Sequence, residues 1–281
     1  MFCFQCQETA KGTGCVLKGV CGKSAFTARN MDLLLFVVRG IAVAADSLRQ
    51  HNVDPGKETD TFVTDALFST ITNANFDDES IMRRIDRGLE MRDALKARAE
   101  TEGIALPGAD ELEWTGTRAD YDAKAATVGV LREENEDLRS LKELVMYGLK
   151  GMAAYLEHAM RLGYDDAEIH AFMQNALALT TVGNLTADEL TALVMKTGEV
   201  GVRTMALLDK ANTATYGNPE ATNVNIGVRN RPGILISGHD LHDLEELLEQ
   251  TKDTGIDIYT HGEMLPAHYY PAFKKYAHFA G

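Results

Sequence analysis

Glu136 to Leu162 reads EDLRSLKELVMYGLKGMAAYLEHAMRL. Within it Leu138, Leu141, Val145, Leu149, Met152 and Leu156 recur at intervals of 3, 4, 4, 3 and 4 residues, which predicts one long helix with a continuous apolar stripe. The same period extends outward in both directions. Upstream, Asp32 is read as opening a buried helix that carries Leu33 to Val38, and Asp60 as capping a second that runs to about Thr72. A third follows Asp77 and Asp78, with Ile81, Ile85 and Leu89 four residues apart on one face. Leu106 to Thr117 holds Pro107, Gly108, Gly116 and the only tryptophan, Trp114, and reads as the connection between two helical units. Downstream, Asp165 starts a helix with Ile169, Phe172, Met173 and Ala176 facing inward. Thr186 with Glu189 forms a capping box for a last helix ending near Asn212. Two successive helical bundles are the economical reading.

The texture changes after Tyr216-Gly217-Asn218-Pro219. The apolar run Gly233 to Ser237 precedes Gly238-His239-Asp240 and an amphipathic helix with Leu241, Leu244, Leu247 and Leu248. Ile256 to Tyr259 then precedes Thr260-His261-Gly262-Glu263. This is a strand, helix, strand unit, the start of a parallel sheet. Such a sheet needs covering on both faces and more than two strands, so the sequence reads as ending inside a domain. The expected organisation is a helical domain over 1–222, opening with a four-cysteine segment at 1–23, and the beginning of an α/β domain over 223–281.

The chain carries 28 basic and 42 acidic side chains, a net charge of −14, in 281 residues that are 45% hydrophobic and 25% charged. Collagen, coiled coil and disorder are excluded by that composition. The acidic balance opposes a phosphate backbone, so no nucleic-acid partner is expected. The longest apolar run, Leu33 to Ala45, is interrupted by Arg39 and Gly40 and is shorter than the roughly 20 residues that span a bilayer, so no membrane association is expected. Met1 is followed at once by cysteines instead of a charged and then apolar leader, so the expected compartment is the cytoplasm.

All four cysteines, Cys3, Cys6, Cys15 and Cys21, fall in the first 21 positions with spacing C-x2-C-x8-C-x5-C. Gly12, Gly14, Gly19 and Gly22 let the backbone wrap closely and turn N–H groups toward sulfur, and Lys11, Lys18 and Lys23 make the segment locally basic. An anionic cluster held by four thiolates favours those surroundings. Tetrahedral zinc is the alternative, although zinc ribbons usually show two similar C-x2-C knuckles. Disulfides or inert thiols are the third reading, and a cytoplasmic location disfavours disulfides.

Five of the eight histidines, His239, His242, His261, His268 and His278, lie in the last 43 residues. Ligands of open α/β sheets gather at the carboxyl ends of the strands, which brings His239 and Glu263 together as an imidazole and carboxylate pair suited to iron or zinc. The competing reading has Glu263 capping the next helix and His239 filling a turn. His242 is read as a solvated helix residue, His268 and His278 as surface positions, and His261 as either a supporting partner of the site or a bystander.

The opening Met1-Phe2-Cys3-Phe4-Gln5-Cys6-Gln7-Glu8-Thr9, the cysteine spacing, Thr70 to Asn75, Asn212 to Pro219, Ile234 to Asp240 and Tyr259 to Pro266 closely resemble the hybrid cluster protein family, also called prismane or hydroxylamine reductase. The resemblance runs from residue 1 to 281. It implies a first domain of two three-helix bundles followed by Rossmann-like α/β domains. It further implies that Cys3, Cys6, Cys15 and Cys21 hold a [4Fe-4S] cluster, that His239 and Glu263 are two ligands of a hybrid [4Fe-2O-2S]-type cluster, and that the Thr72 hydroxyl lies near that second cluster. The implied activity is reduction of hydroxylamine to ammonia and water, with nitric oxide reduction in nitrosative-stress defence as the neighbouring activity. The implied partners are a small nitrogen-oxide substrate and a redox donor protein. The family takes its remaining hybrid-cluster ligands from domains that follow, and no cysteine occurs here after Cys21, so a C-terminal remainder is expected. Two further functions compete: a single-cluster electron-transfer module, and a zinc-stabilised helical interaction protein.

Overall fold

Residues 1–6, 8–71 and 75–281 are described by the computed structural model. Helix α1 (Ala25–Gln50) begins where the Ser24 side chain accepts a hydrogen bond from the Thr27 amide. It is buried almost all the way round from Met31 to Leu48, and a helix apolar on every side must be enclosed by others. The helix thus starts earlier than the sequence suggested. Asp32 is not its cap but an interior position, because Ser24 satisfies the first turn and leaves Ala25 to Met31 free to be helical.

Helices α2 (Lys57–Ile71) and α3 (Asp78–Thr101) close around α1. The packing meets at Gly88 of α3, where an added Cβ would come within 2.8 Å of Val37 on α1 and 3.3 Å of Phe62 on α2. Asp77 caps α3 by accepting from the Ser80 amide. Its buried face runs through Ile81, Ile85, Gly88, Arg92, Leu95 and Ala99, while Leu89 is only partly buried. Asp60 lies inside α2 and does not cap it. Its Oδ1 accepts from Arg49 Nη2 and from Gln174 Nε2, both at 2.6 Å, which gives a buried carboxylate the charged partner it needs.

The connection after α3 holds two short helices, α4 (Asp110–Glu113) and α5 (Tyr121–Ala125). Trp114 between them packs edge-on against Phe36 of α1 at 6.1 Å between ring centroids. The fully buried Arg92 donates to the carbonyls of Glu111 and Trp114. Helices α6 (Glu136–Arg161), α7 (Ala167–Leu179) and α8 (Ala187–Tyr216) follow. Along α6, Val145, Leu149, Met152 and Leu156 are buried and Leu138 and Leu141 partly so. The cap of α7 is Asp166, one residue later than Asp165, and Phe172 is only partly buried. The reciprocal bonds between Thr186 and Glu189 form the capping box at the start of α8, which continues past Asn212 to Tyr216.

The chain divides into two compact units, Met1–Ala154 with Asp166–Arg203, and Tyr155–Asp165 with Thr204–Gly281. The second holds β1 (Gly233–Ser237), α9 (Leu241–Thr251) and β2 (Asp257–His261). The strands pair in parallel from Gly233 opposite Asp257 to Ser237 opposite His261. On the other side of β2 the last residues run alongside it, with Ile258 donating to His278, Ala280 to Ile258 and Thr260 to Gly281. Tyr216, Leu244, Leu248, Ile258, Met264 and Phe273 form the core beneath, whereas Ile234 and Leu235 of β1 are exposed. His268 is buried against Phe279 and bonded to Thr260, and His278 bonds Thr251 and the Leu248 carbonyl. Neither is the surface residue the sequence suggested, because the final segment runs beside β2, which lays Phe279 on His268 and turns His278 onto the end of α9. Overall the chain is mainly helical with a small two-stranded parallel sheet.

In this second unit His158 lies 3.3 Å from Glu157 and 3.4 Å from Asp240, the residue that caps α9. At those lengths the attraction is mainly between charges. The two carboxylates outweigh burial and raise the His158 pKa to about 9. The stabilisation is therefore complete below the unfolded value of about 6.5 and is lost as pH rises through 9. His158→Gln is expected to lower the stability of this unit by about 1–3 kcal/mol at pH 6, and the gap to wild type should shrink by pH 10. Urea unfolding followed by circular dichroism at both pH values tests this, and a gap independent of pH contradicts it.

Candidate functional site: a thiol loop and a histidine–carboxylate pair

The thiol loop is built by main-chain hydrogen bonds between distant positions of one short segment. Cys3 and Cys15 face each other across an antiparallel bridge, with Cys3 N–H donating to the Cys15 carbonyl at 3.1 Å and Cys15 N–H returning the bond at 2.8 Å. The Thr9 hydroxyl donates to the Cys3 carbonyl and lies 3.6 Å from Cys15 Sγ, and the Ala10 amide donates to the same sulfur at 3.4 Å. Bonds from the Ala10 and Val20 amides and from Thr9 lower the Cys15 pKa, since each stabilises the thiolate. Gly19 permits a close approach, because a Cβ there would sit 3.0 Å from Cys21 Sγ. All four cysteines are free thiols, with Cys15 buried and Cys21 exposed.

The loop is anchored to unit one through α6. Phe4 packs on Tyr147, whose hydroxyl donates to the Phe4 carbonyl at 2.8 Å. Behind it lies a small cavity of about 30 Å³, room for one water, lined by Cys3, Lys23, Asp32, Glu143, Tyr147 and Lys150 among others. Asp32, Leu35, Val130 and Glu143 also line a second cavity of about 160 Å³ that holds Arg39, Arg139, Lys142 and Thr180. Burial raises the Asp32 pKa to about 7, with Lys150 the main opposing charge, and burial lowers that of Lys150 to about 8. Lys23 is buried and donates to Met31 Sδ at 3.2 Å, so it is not part of the loop's exposed basic surface. These interior charges were missed from sequence. Asp32 and Arg39 inside an apolar helix, and Lys150 one residue from a stripe position, were the available signals.

In unit two, His239 leaves the carboxyl end of β1 after Gly238, whose φ of 130° suits glycine. Glu263 lies in the first turn of a 3-10 helix (Gly262–Tyr269) that follows β2 directly. Parallel pairing in register places both ends together, and His239 Nε2 and Glu263 Oε2 form an ion pair with both side chains exposed. Ser237 Oγ lies 3.5 Å from His261 Nδ1, two residues before the pair on each strand. His242 is only partly buried, with its Nδ1 shielded from solvent. Thr72 lies outside the described residues.

No helix among the described residues is long and apolar enough to cross a membrane. The site thus consists of a four-cysteine loop on a mainly helical unit, joined in sequence to an α/β unit with an imidazole and a carboxylate at its strand ends. A family model described as "Prismane/CO dehydrogenase family" matches residues 1–281, and the chain belongs to that family. Membership implies iron–sulfur clusters. The chain is 60% identical over 284 residues to a hydroxylamine reductase of Desulfitobacterium hafniense (strain DSM 10664 / DCB-2), an alignment covering 100% of this chain and 52% of that protein. It is 61% identical over 281 residues to a hydroxylamine reductase of Bacteroides thetaiotaomicron, covering 100% and 51%. A Clostridium botulinum hydroxylamine reductase is 54% identical over 307 residues, covering 100% and 54%. The chain thus spans about half the length of the curated relatives it matches.

Lys150→Met should raise the Asp32 pKa further above 7, because it removes the cation that most opposes desolvation there. Carboxyl carbon chemical shifts of Asp32 titrated in both proteins measure it. An unchanged or lower value contradicts the assignment of these two residues as partners.

Proposed function

We propose that this chain is the N-terminal half of a hydroxylamine reductase-type oxidoreductase, with Cys3, Cys6, Cys15 and Cys21 as ligands of a [4Fe-4S] cluster and His239 and Glu263 as two ligands of a hybrid [4Fe-2O-2S]-type cluster. The observation that carries the reading is the meeting of His239 and Glu263 at the ends of two parallel strands, 24 positions apart in sequence. The donor set fits a cluster of mixed sulfur and oxygen character, since imidazole and carboxylate suit iron while thiolates from elsewhere supply softness. The thiol loop fits an iron–sulfur group as well. Four thiolates from one short glycine-rich segment are the donor set that completes a cubane. Thr72 belongs near the second cluster in this reading.

When bound, the clusters supply the electrons and the Lewis acidity for reducing hydroxylamine by two electrons and two protons to ammonia and water. The chain's own residues hold the surroundings. Main-chain N–H groups and Thr9 stabilise thiolate charge at Cys15. His239 Nε2 and Glu263 Oε2 face each other and would offer one nitrogen and one carboxylate to the group. Reduction of nitric oxide is the neighbouring activity of the same site. The remaining ligands, several thiolates among them, come from the rest of the protein, since no cysteine follows Cys21. By itself the chain then serves as a single-cluster electron-transfer module.

The same reading takes the helices to be two three-helix bundles within a domain over 1–222, and 223–281 to be the start of a Rossmann-like α/β domain. The exposure of Ile234 and Leu235 on β1 supports further structure on that side. The expected compartment is the cytoplasm, and the expected partners are a nitrogen-oxide substrate and a redox donor protein.

Anaerobically prepared chain is expected to contain about four irons and four sulfides, and Cys6→Ser or Cys15→Ser to lose them. Stoichiometric zinc without charge-transfer absorption contradicts the cluster. The chain alone is expected to be inactive with hydroxylamine. In the full-length protein His239→Ala or Glu263→Ala should abolish turnover while the cubane spectrum persists; full activity in either variant removes that residue from the site.

A further inference from the structure

Between Cys15 and Cys21 the chain presents three large apolar side chains to solvent: Val16 is 59% exposed, Leu17 85% and Val20 62%. Phe26, at the first turn of α1, is partly exposed as well. Folding ordinarily hides such residues, and this tip is held in place. Gly19 donates to the Lys23 carbonyl and Gly22 to the Gly19 carbonyl, both at 2.9 Å. The exposure is therefore fixed by main-chain bonds and is not a fraying end. Lys18 is exposed within this tip and Lys11 on the preceding turn of the same loop, and Glu8 is the only acidic residue in the first 24 positions of a chain whose net charge is −14. An exposed apolar tip in a locally basic segment, flanked in the chain by Cys15 and Cys21, is a docking surface of a particular kind.

We infer that Val16, Leu17 and Val20, rimmed by Lys11 and Lys18, receive a small acidic one-electron carrier protein that delivers electrons to the thiol loop. This rests on the assignment of an iron–sulfur group to that loop. Charge complementarity selects the partner. An acidic carrier is repelled by most of this chain's surface and is attracted at the one basic segment beside the thiols, which steers approach and orientation together. Short-lived redox complexes are small, so a few apolar side chains suffice to exclude water at the contact. The transfer itself forms and breaks no bond: the carrier is oxidised by one electron and the iron–sulfur group is reduced by one. Cys21 is exposed, and Val16 and Val20 directly adjoin Cys15 and Cys21 in the chain, so the route from the contact to the thiols is short.

The test uses the full-length protein with its clusters loaded anaerobically, and a reduced acidic [2Fe-2S] ferredoxin as probe. Stopped-flow bleaching gives the second-order rate of reduction, and calorimetry with redox-inactive, gallium-substituted ferredoxin gives the dissociation constant. Lys11→Glu/Lys18→Glu and Leu17→Ser should each slow reduction by the ferredoxin about tenfold and weaken binding in parallel. Reduction by dithionite should be unchanged, and the charge variant should lose the salt dependence of the wild-type rate. Wild-type rates in both variants overturn the inference. So does protection of residues 16–20 from hydroxyl-radical footprinting in the unbound full-length protein, which would mean that the rest of the polypeptide covers the tip. A wild-type protein that dithionite does not bleach instead refutes the cluster assignment, and the two failures are thereby told apart.

Discussion

Helix α1 is enclosed on nearly its whole circumference, and the first unit is arranged by the need to keep it so. Packing against it are α2, α3, α4, α5 and α7. The closest approach is at Gly40, where a Cβ would lie 2.2 Å from the Glu111 carbonyl oxygen, so the connection after α3 is drawn onto the helix backbone itself. The same carbonyl accepts from the buried Arg92, which ties α3 to that connection. A helix of this kind leaves little freedom to its ionisable residues. Asp32 and Arg39 are carried inward with it, and they are accommodated by the cavity they line with residues of α6 and of the turn that follows α7. Charges that the apolar helix brings inside set the electrostatics behind the thiol loop.

The two candidate ligand groups are made in opposite ways. The thiols are placed by hydrogen bonds within some twenty residues, and turns and glycines decide how closely sulfur and amide approach. His239 and Glu263 are placed by a parallel pairing across an intervening helix, so their meeting depends on the register of β1 and β2. A slip of one residue in that register would turn every side chain of one strand to the other face and separate them. The first group can form with its segment; the second needs the sheet.

Much of this was legible in the residues. The stripe of α6, the capping box of α8 and the start of α3 after Asp77 were read correctly because each signal lies within a few positions of the element it controls. The start of α1 and the role of Asp60 were not. An acidic residue near a helix start looks the same in sequence whether it caps that helix or pairs with Arg49 and Gln174 from two others. His268 and His278 were placed at the surface because nothing local shows that the last four residues run beside β2.

The sequence alone therefore determined where the long helices and the two strands fall, that the four thiols share one short segment and that an imidazole and a carboxylate follow two neighbouring strands. Those follow from period, capping and spacing, all local properties of the chain. Tertiary structure decided which buried charges face one another, which histidines are covered and that His239 and Glu263 touch. Each of these depends on distances between residues far apart in sequence, which only the packing of α1 and the pairing of β1 with β2 fix.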